Sequence, residues 1–148
     1  MSKPTHVPFE TTLLVRDACL CLHVQRAARA LARRFDEALR PVELTNGQFS
    51  LLMSLNRPVP PSMGSVAALL AMDRTTLTAA LKPLERRGLV ALSLDPGDRR
   101  SRLLSLTPAG EELLSRAVPI WERTHAAVER MLPGADPDRL RGDLQALS

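Results

Sequence analysis

Apolar residues recur at helical spacing from about Thr12 to Leu39: Leu13, Leu20, Val24, Ala27, Leu31, Phe35 and Ala38. The pattern predicts one long amphipathic helix, about 42 Å from end to end, which Pro41 stops. Such a length exceeds the needs of a small headpiece and points to a scaffold or dimer element. Residues 1–10, with Pro4 and Pro8, read as an extended arm.

A run of shorter elements follows. Thr45 and Gln48 have the spacing of a capping box, and Leu44 can staple onto Phe49; they predict a helix over about 46–56. Arg57–Pro61 holds three prolines and reads as a loop, and a short helix is expected over about 63–70. Asp73 then caps a helix from Arg74 to about Arg87, with Leu77, Leu81 and Leu84 facing inward. Pro83 lies inside it at the cost of one backbone bond. The leucine spacing nevertheless continues to Leu84, and Gly88 supplies a C-terminal stop.

Leu89–Leu94 and Arg102–Leu106 are short apolar strands flanking the charged turn Asp95–Arg100, which predicts a hairpin or wing. Thr107-Pro108 restarts a helix that runs to about Leu132, and Asp136-Pro137 opens a last one to about Leu147. The expected fold is mostly α with a small two- or three-stranded β wing. It is a winged helix-turn-helix lobe (46–106) between an arm and first dimerisation helix (1–45) and C-terminal dimerisation helices (107–148), one intertwined domain overall.

Charge sharpens this picture. Between Arg74 and Arg102 lie seven basic residues (Arg74, Lys82, Arg86, Arg87, Arg99, Arg100, Arg102) and three acidic ones (Glu85, Asp95, Asp98), a difference of +4 that equals the net charge of the whole chain. A positive excess confined to one helix and one hairpin suits duplex DNA, where phosphates hold the module while a few side chains enter the grooves. The only aromatics are Phe9, Phe35, Phe49 and Trp121, none of them in the basic segment. That argues against single-stranded nucleic acid, which stacks its bases on aromatic platforms.

Other classes are disfavoured. No apolar run approaches the roughly 20 residues of a membrane span, and the start of the chain lacks a signal peptide's apolar block, so a cytoplasmic protein is expected. An enzyme would have to use Cys21 with one of His6, His23 and His125. Cys21 and His23 point to opposite sides of a helix. No phosphate loop, metal-ligand set or nucleophile elbow is present, and no cofactor is expected.

The segments Leu44-Thr45-x-x-Gln48-Phe49, Met72-Asp73-Arg74-Thr75-Thr76-Leu77-Thr78, Leu84-Glu85-Arg86-Arg87-Gly88-Leu89-Val90, Asp98-Arg99-Arg100 and Leu106-Thr107-Pro108-x-Gly110 occur in that order. In this order and spacing, from about Leu13 to Leu132, the chain resembles the multiple antibiotic resistance regulator (MarR) family of bacterial transcription factors. The resemblance implies a homodimer whose first and last helices interlock and whose two winged lobes straddle a pseudo-palindromic operator. It implies that Arg100 enters the minor groove while Asp98 orients it, with Arg99 a phosphate contact. Arg74, Thr75, Thr76 and Thr78 begin the recognition helix, where base edges and phosphates are met, and Lys82 is a further phosphate contact. Arg86 and Arg87 are expected mainly to solvate the helix end and favour its dipole.

The family implies a signal as well, a small aromatic acid or oxidation of a cysteine on the first helix. Cys21 precedes Thr45 by 24 residues, matching the reactive cysteine of the family's organic hydroperoxide regulators. Their sulfur is contacted by tyrosine hydroxyls, and this chain has no tyrosine; Phe35 and Gln25 stand roughly in their places. Cys19 and Cys21 would lie about 200° apart on one helix, too far round for an intrahelical disulfide. Cys21 is thus open to three readings: an inert small apolar residue, a redox sensor, or part of a ligand pocket. Such a pocket is expected near Cys21, Gln25, Phe49, Met53 and His23, with Arg26 or Arg29 available to a ligand carboxylate. The function expected is a dimeric repressor released from its DNA operator by a small effector or by cysteine oxidation. The alternative is a winged-helix interaction module that does not bind DNA.

Overall fold

The computed structural model describes residues 6–148; the first half of the expected arm, residues 1–5, lies outside them. The chain divides into two compact units, one ending at Arg34 and one from Phe35 to Ser148. In order, the elements are α1 (Phe9–Ala18), α2 (Leu20–Ala38), a 3-10 turn at Arg40–Val42, α3 (Asn46–Ser54), α4 (Met63–Leu69), α5 (Arg74–Arg86), β1 (Val90–Asp95), β2 (Asp98–Leu106), α6 (Pro108–Glu129) and α7 (Pro137–Ala146). This is a mostly helical winged helix-turn-helix.

The single long first helix is corrected to two, and the arm becomes helical at Phe9. Cys19 takes extended backbone angles, φ −69° and ψ 109°. Its amide donates to the Val15 carbonyl at 3.0 Å, closing α1, and its own carbonyl accepts from the His23 amide at 3.1 Å, opening α2. The Cys19 sulfur accepts from the Leu22 amide at 3.4 Å. A thiol thereby fills the N-cap position that serine or aspartate usually takes. Because Cys19 lies at the break, the 200° separation reckoned on a continuous helix no longer describes the two cysteines.

In the second unit, the ends of the helices are fixed by the residues expected to fix them. Thr45 and Gln48 form both arms of the capping box on α3, and Ser62, Asp73, Thr107 and Asp136 each accept an amide at the start of α4, α5, α6 and α7. Asp36 accepts from the amide of Asn46 at 2.7 Å and from its side chain at 2.8 Å, fastening the end of α2 to the start of α3. Both bonds favour the charged form and lower its pKa below 3.8. The recognition helix α5 does run through Pro83, and α6 runs through Pro119. Gly88, at φ +71°, ends α5: its amide bonds Glu85 at 2.9 Å and the Leu89 amide bonds Leu84 at 3.0 Å. Those two bonds make a Schellman stop, with Leu84 and Leu89 both buried beside it. The turn before α5 closes the same way around Ala71, a non-glycine residue at φ +53°.

One core joins these elements. Leu51 and Leu52 of α3, Val66 of α4, Leu77, Leu81 and Leu84 of α5, Leu104 of β2 and Ala117 of α6 are almost wholly buried. The wing is a two-stranded antiparallel hairpin with a single bridge from Ser62 to Leu103 as its third partner. It is tied down at its base. The Thr107 amide donates to the Leu89 carbonyl at 3.0 Å, and the Thr107 hydroxyl donates to the Gly88 carbonyl at 2.5 Å. A Cβ on Gly110 would overlap the Leu89 carbonyl oxygen, so α6 meets the foot of β1 with no room for any side chain. Gly110→Ala is therefore expected to lower the stability of the fold by about 1–3 kcal/mol through overpacking. Urea denaturation of the variant beside the parent measures it, and an unchanged midpoint would show that the joint gives way without cost.

Candidate nucleic-acid interface

The recognition helix begins at an exposed, charged end. The Asp73 carboxylate accepts from the Thr76 amide at 2.7 Å, and that bond, followed by one from the Thr76 hydroxyl, holds the Asp73 pKa below 3.8. Arg74, Thr75, Thr76, Thr78 and Lys82 are all exposed. The Thr78 hydroxyl donates back to the Arg74 carbonyl at 2.8 Å, which fixes its rotamer. Arg74 does not simply extend into solvent: a Cβ on Gly64 of α4 would lie 3.0 Å from its Nη2. The guanidinium thus rests against the preceding helix, and Gly64 is a positioning residue that no local sequence signal marks.

The wing tip differs from a simple turn. Leu94 pairs with Arg102 and Asp95 pairs with Asp98, so Arg99, Arg100 and Ser101 have no partners on β1 and form a bulge. The expected six-residue turn shrinks to Pro96-Gly97, closed by the Gly97 amide on the Asp95 carboxylate at 2.9 Å. Asp98 acts on Arg100, but through the backbone: its carboxylate accepts the Arg100 amide at 3.0 Å. Asp98, Arg99 and Arg100 are exposed. Among the described residues, none of Arg74, Lys82, Arg99 and Arg100 takes part in an ion pair. Such free guanidinium groups on a bulged tip suit phosphate or groove contacts. Arg87 has a different task from the solvating one expected of it, since its Nη1 donates to the Glu43 carbonyl at 2.8 Å. Glu43 has a left-handed backbone at φ +53°.

The residues expected around a sensor pocket are divided between the two units. In the first unit, the Gln25 amide donates to the Cys21 sulfur at 3.3 Å, and Cys21 is exposed while Cys19 is half-buried. His23, Arg26, Arg29 and Arg33 line an open depression on α2. In the second unit, Phe49 and Met53 line a cavity of about 400 Å³ with Leu70, Val118 and Trp121. Trp121 is a residue the sequence did not single out. Its ring lies 6.2 Å from that of Phe49 and 4.6 Å from that of His125, each within about 15° of parallel to it.

Residues 44–101 match the family model described as "MarR family". The structure resembles the M. tuberculosis transcriptional regulator MosR in complex with DNA, with a TM-score of 0.80 and 38% identity over 87% of this chain and 92% of that one. The chain belongs to the MarR family. The repressor CouR bound to a 23-mer DNA duplex superposes with a TM-score of 0.79 at 30% identity, covering 90% of this chain and 94% of CouR. CouR from Rhodococcus jostii RHA1 bound to p-coumaroyl-CoA gives a TM-score of 0.76 at 25% identity, covering 88% and 92%. The HTH-type transcriptional repressor NicR of Pseudomonas putida is 38% identical over 77 residues, 52% of this chain and about half (49%) of NicR. With DNA-bound relatives at this likeness, the winged helix of this MarR-family chain is that of a DNA-binding transcription regulator.

Proposed function

We propose that this chain is a cytoplasmic, homodimeric MarR-family repressor that holds a pseudo-palindromic operator until a small effector or an oxidant releases it. The observation that carries the DNA-binding part is the basic bulge at the wing tip, together with the exposed start of α5, neither of whose basic side chains forms an ion pair among the described residues. In this reading Arg74, Thr75, Thr76 and Thr78 meet base edges and phosphates in the major groove. Lys82 and Arg99 take phosphates. Arg100 enters the minor groove, where a narrow cleft concentrates negative potential. Asp98 fixes the Arg100 backbone so that the guanidinium leaves the tip in one direction.

The dimer reading rests on apolar surface. No residue of α1, α2 or α7 is buried, and Phe9 and Leu20 are each 69% exposed and Leu144 is 44% exposed. Apolar residues left uncovered on three helices call for a partner, and a second copy supplies one while spacing two recognition helices for successive grooves. Release follows if the signal shifts the population toward a dimer whose lobes no longer match that spacing.

Two signals fit. The cavity at Phe49, Met53 and Trp121 is of the size that takes small effectors, and the CouR complex supports such an effector. The other signal is oxidation. Attack of a cysteine thiolate on a hydroperoxide forms the S–O bond of a sulfenic acid as the O–O bond breaks, releasing the alcohol. Because the Cys19 sulfur caps α2, its oxidation would alter the start of that helix, and Cys21 stands one turn from Gln25.

Arg100→Ala is expected to weaken operator binding by about 1–3 kcal/mol, a loss of roughly five-fold to 150-fold in a gel shift, with secondary structure retained. Unchanged affinity would remove Arg100 from the interface. For the thiols, hydroperoxide should release operator from the parent protein but from Cys19→Ser or Cys21→Ser only at higher concentration. If both variants and the parent lose DNA at the same dose, oxidation acts elsewhere.

A further inference from the structure

Arg87 closes the recognition helix with a bond that the charge pattern of the chain does not suggest. The residue is exposed, and its Nη1 donates to the Glu43 carbonyl at 2.8 Å, across 44 residues of sequence. The acceptor belongs to a tightly built turn. The Glu43 amide donates to the Arg40 carbonyl at 2.9 Å and the Leu44 amide to the Leu39 carbonyl at 3.4 Å, the two bonds of a Schellman closure. Glu43 holds the left-handed position of that closure at φ +53°, where glycine is usual. Leu39, Val42 and Leu44 bury the turn in the core, and just past it Asn46 is held to Asp36 by two further bonds. The turn is thus a fixed point, and Arg87 ties the C-terminal end of α5 to it. Every residue involved belongs to the unit from Phe35 to Ser148.

That tie supplies what the packing of α5 lacks. Leu77, Leu81 and Leu84 bury one side of the helix, but apolar burial has no direction and resists lifting better than rolling. Pro83 leaves α5 one backbone bond short just ahead of its last turn. A hydrogen bond is directional, and one that reaches sideways from the helix surface opposes rotation about the axis. On a helix of about 5–6 Å radius, a roll of about 10° moves a side-chain tip by about 1 Å. Such a shift is enough to spoil a paired contact with a base edge. Because the bond is exposed to water, it adds little to the stability of the fold.

We propose that Arg87 is a positioning residue for DNA recognition. Its guanidinium takes no phosphate; through the Glu43 carbonyl it sets the roll of α5, and so the aim of Arg74, Thr75 and Thr78. The role rests on the reading of α5 as the helix that enters the major groove.

The test compares two duplexes of equal length, one selected by the parent protein from a random-sequence pool and one of mixed sequence. Arg87→Met keeps the stem and removes the donor, whereas Arg87→Lys keeps a donor for the Glu43 carbonyl. For Arg87→Met, the ratio of affinities for selected over mixed duplex is expected to fall about five-fold or more, the worth of one base contact. Its salt slope on the mixed duplex should match the parent's, and its melting midpoint should stay within about 5 °C. Arg87→Lys should restore most of the ratio. An unchanged ratio, with or without a lower midpoint, would mark a merely structural bond. Equal weakening on both duplexes, with a salt slope flatter by about 1, would mark a phosphate contact. Either result, or a lost ratio that Arg87→Lys does not restore, would overturn the inference. Failure of the reading beneath it looks different: a parent protein that enriches no sequence from the pool refutes operator recognition itself, and the role of Arg87 with it.

Discussion

The joint at the foot of the wing governs the rest of this molecule. Gly88 ends the recognition helix in a left-handed turn, Leu89 starts the wing and offers its carbonyl to the Thr107 amide, and Thr107 returns its hydroxyl to Gly88. Gly110 lets α6 approach until a methyl group would no longer fit. Three elements meet within two turns of chain and share their terminal hydrogen bonds. The recognition helix and the wing are therefore held as one body, with Leu84 and Leu89 buried beneath the joint. A wing free to swing would carry its arginines without aim.

Upon that body the sequence lays its entire net charge. Arg99 and Arg100 leave the ladder in a bulge, and the start of α5 is crowned by exposed threonines and Arg74. Guanidinium groups with no carboxylate partner keep their full field for an external anion. The cavity around Trp121 shows the opposite character, apolar and uncharged in its lining. Charge is thus concentrated where DNA would be gripped and is absent where a small molecule would be held, so the two tasks can be altered separately.

Much of this was legible in the chain because it is local. Thr45 with Gln48, Asp73, Thr107 and Asp136 announce helix starts through bonds that span two or three residues, and each forms as expected. Gly88 announces a stop in the same way. The break at Cys19 was hidden because the apolar stripe runs straight through it, and a sulfur acting as a cap is not among the usual signals. The bulge at 99–101 depends on how β2 registers against β1, which turn composition does not reveal: Asp95–Arg100 read as one long turn, while the ladder closes at Asp95 and Asp98. The contacts of Arg74 with Gly64, of Gly110 with Leu89 and of Trp121 with Phe49 join residues distant along the chain, so no periodicity could display them. Of the candidate interface, the residue types and their order are visible in the chain, whereas the bond from the Arg100 amide to the Asp98 carboxylate required the fold.

The most direct trial of the central claim, that a rigid basic surface grips duplex DNA through its phosphates, is the salt dependence of operator binding by the purified protein. Counterion release predicts that the logarithm of the binding constant falls linearly with the logarithm of salt concentration, with a slope of about −4 or steeper if four or more phosphates are neutralised. Affinity that stays level across the same range of salt would contradict it.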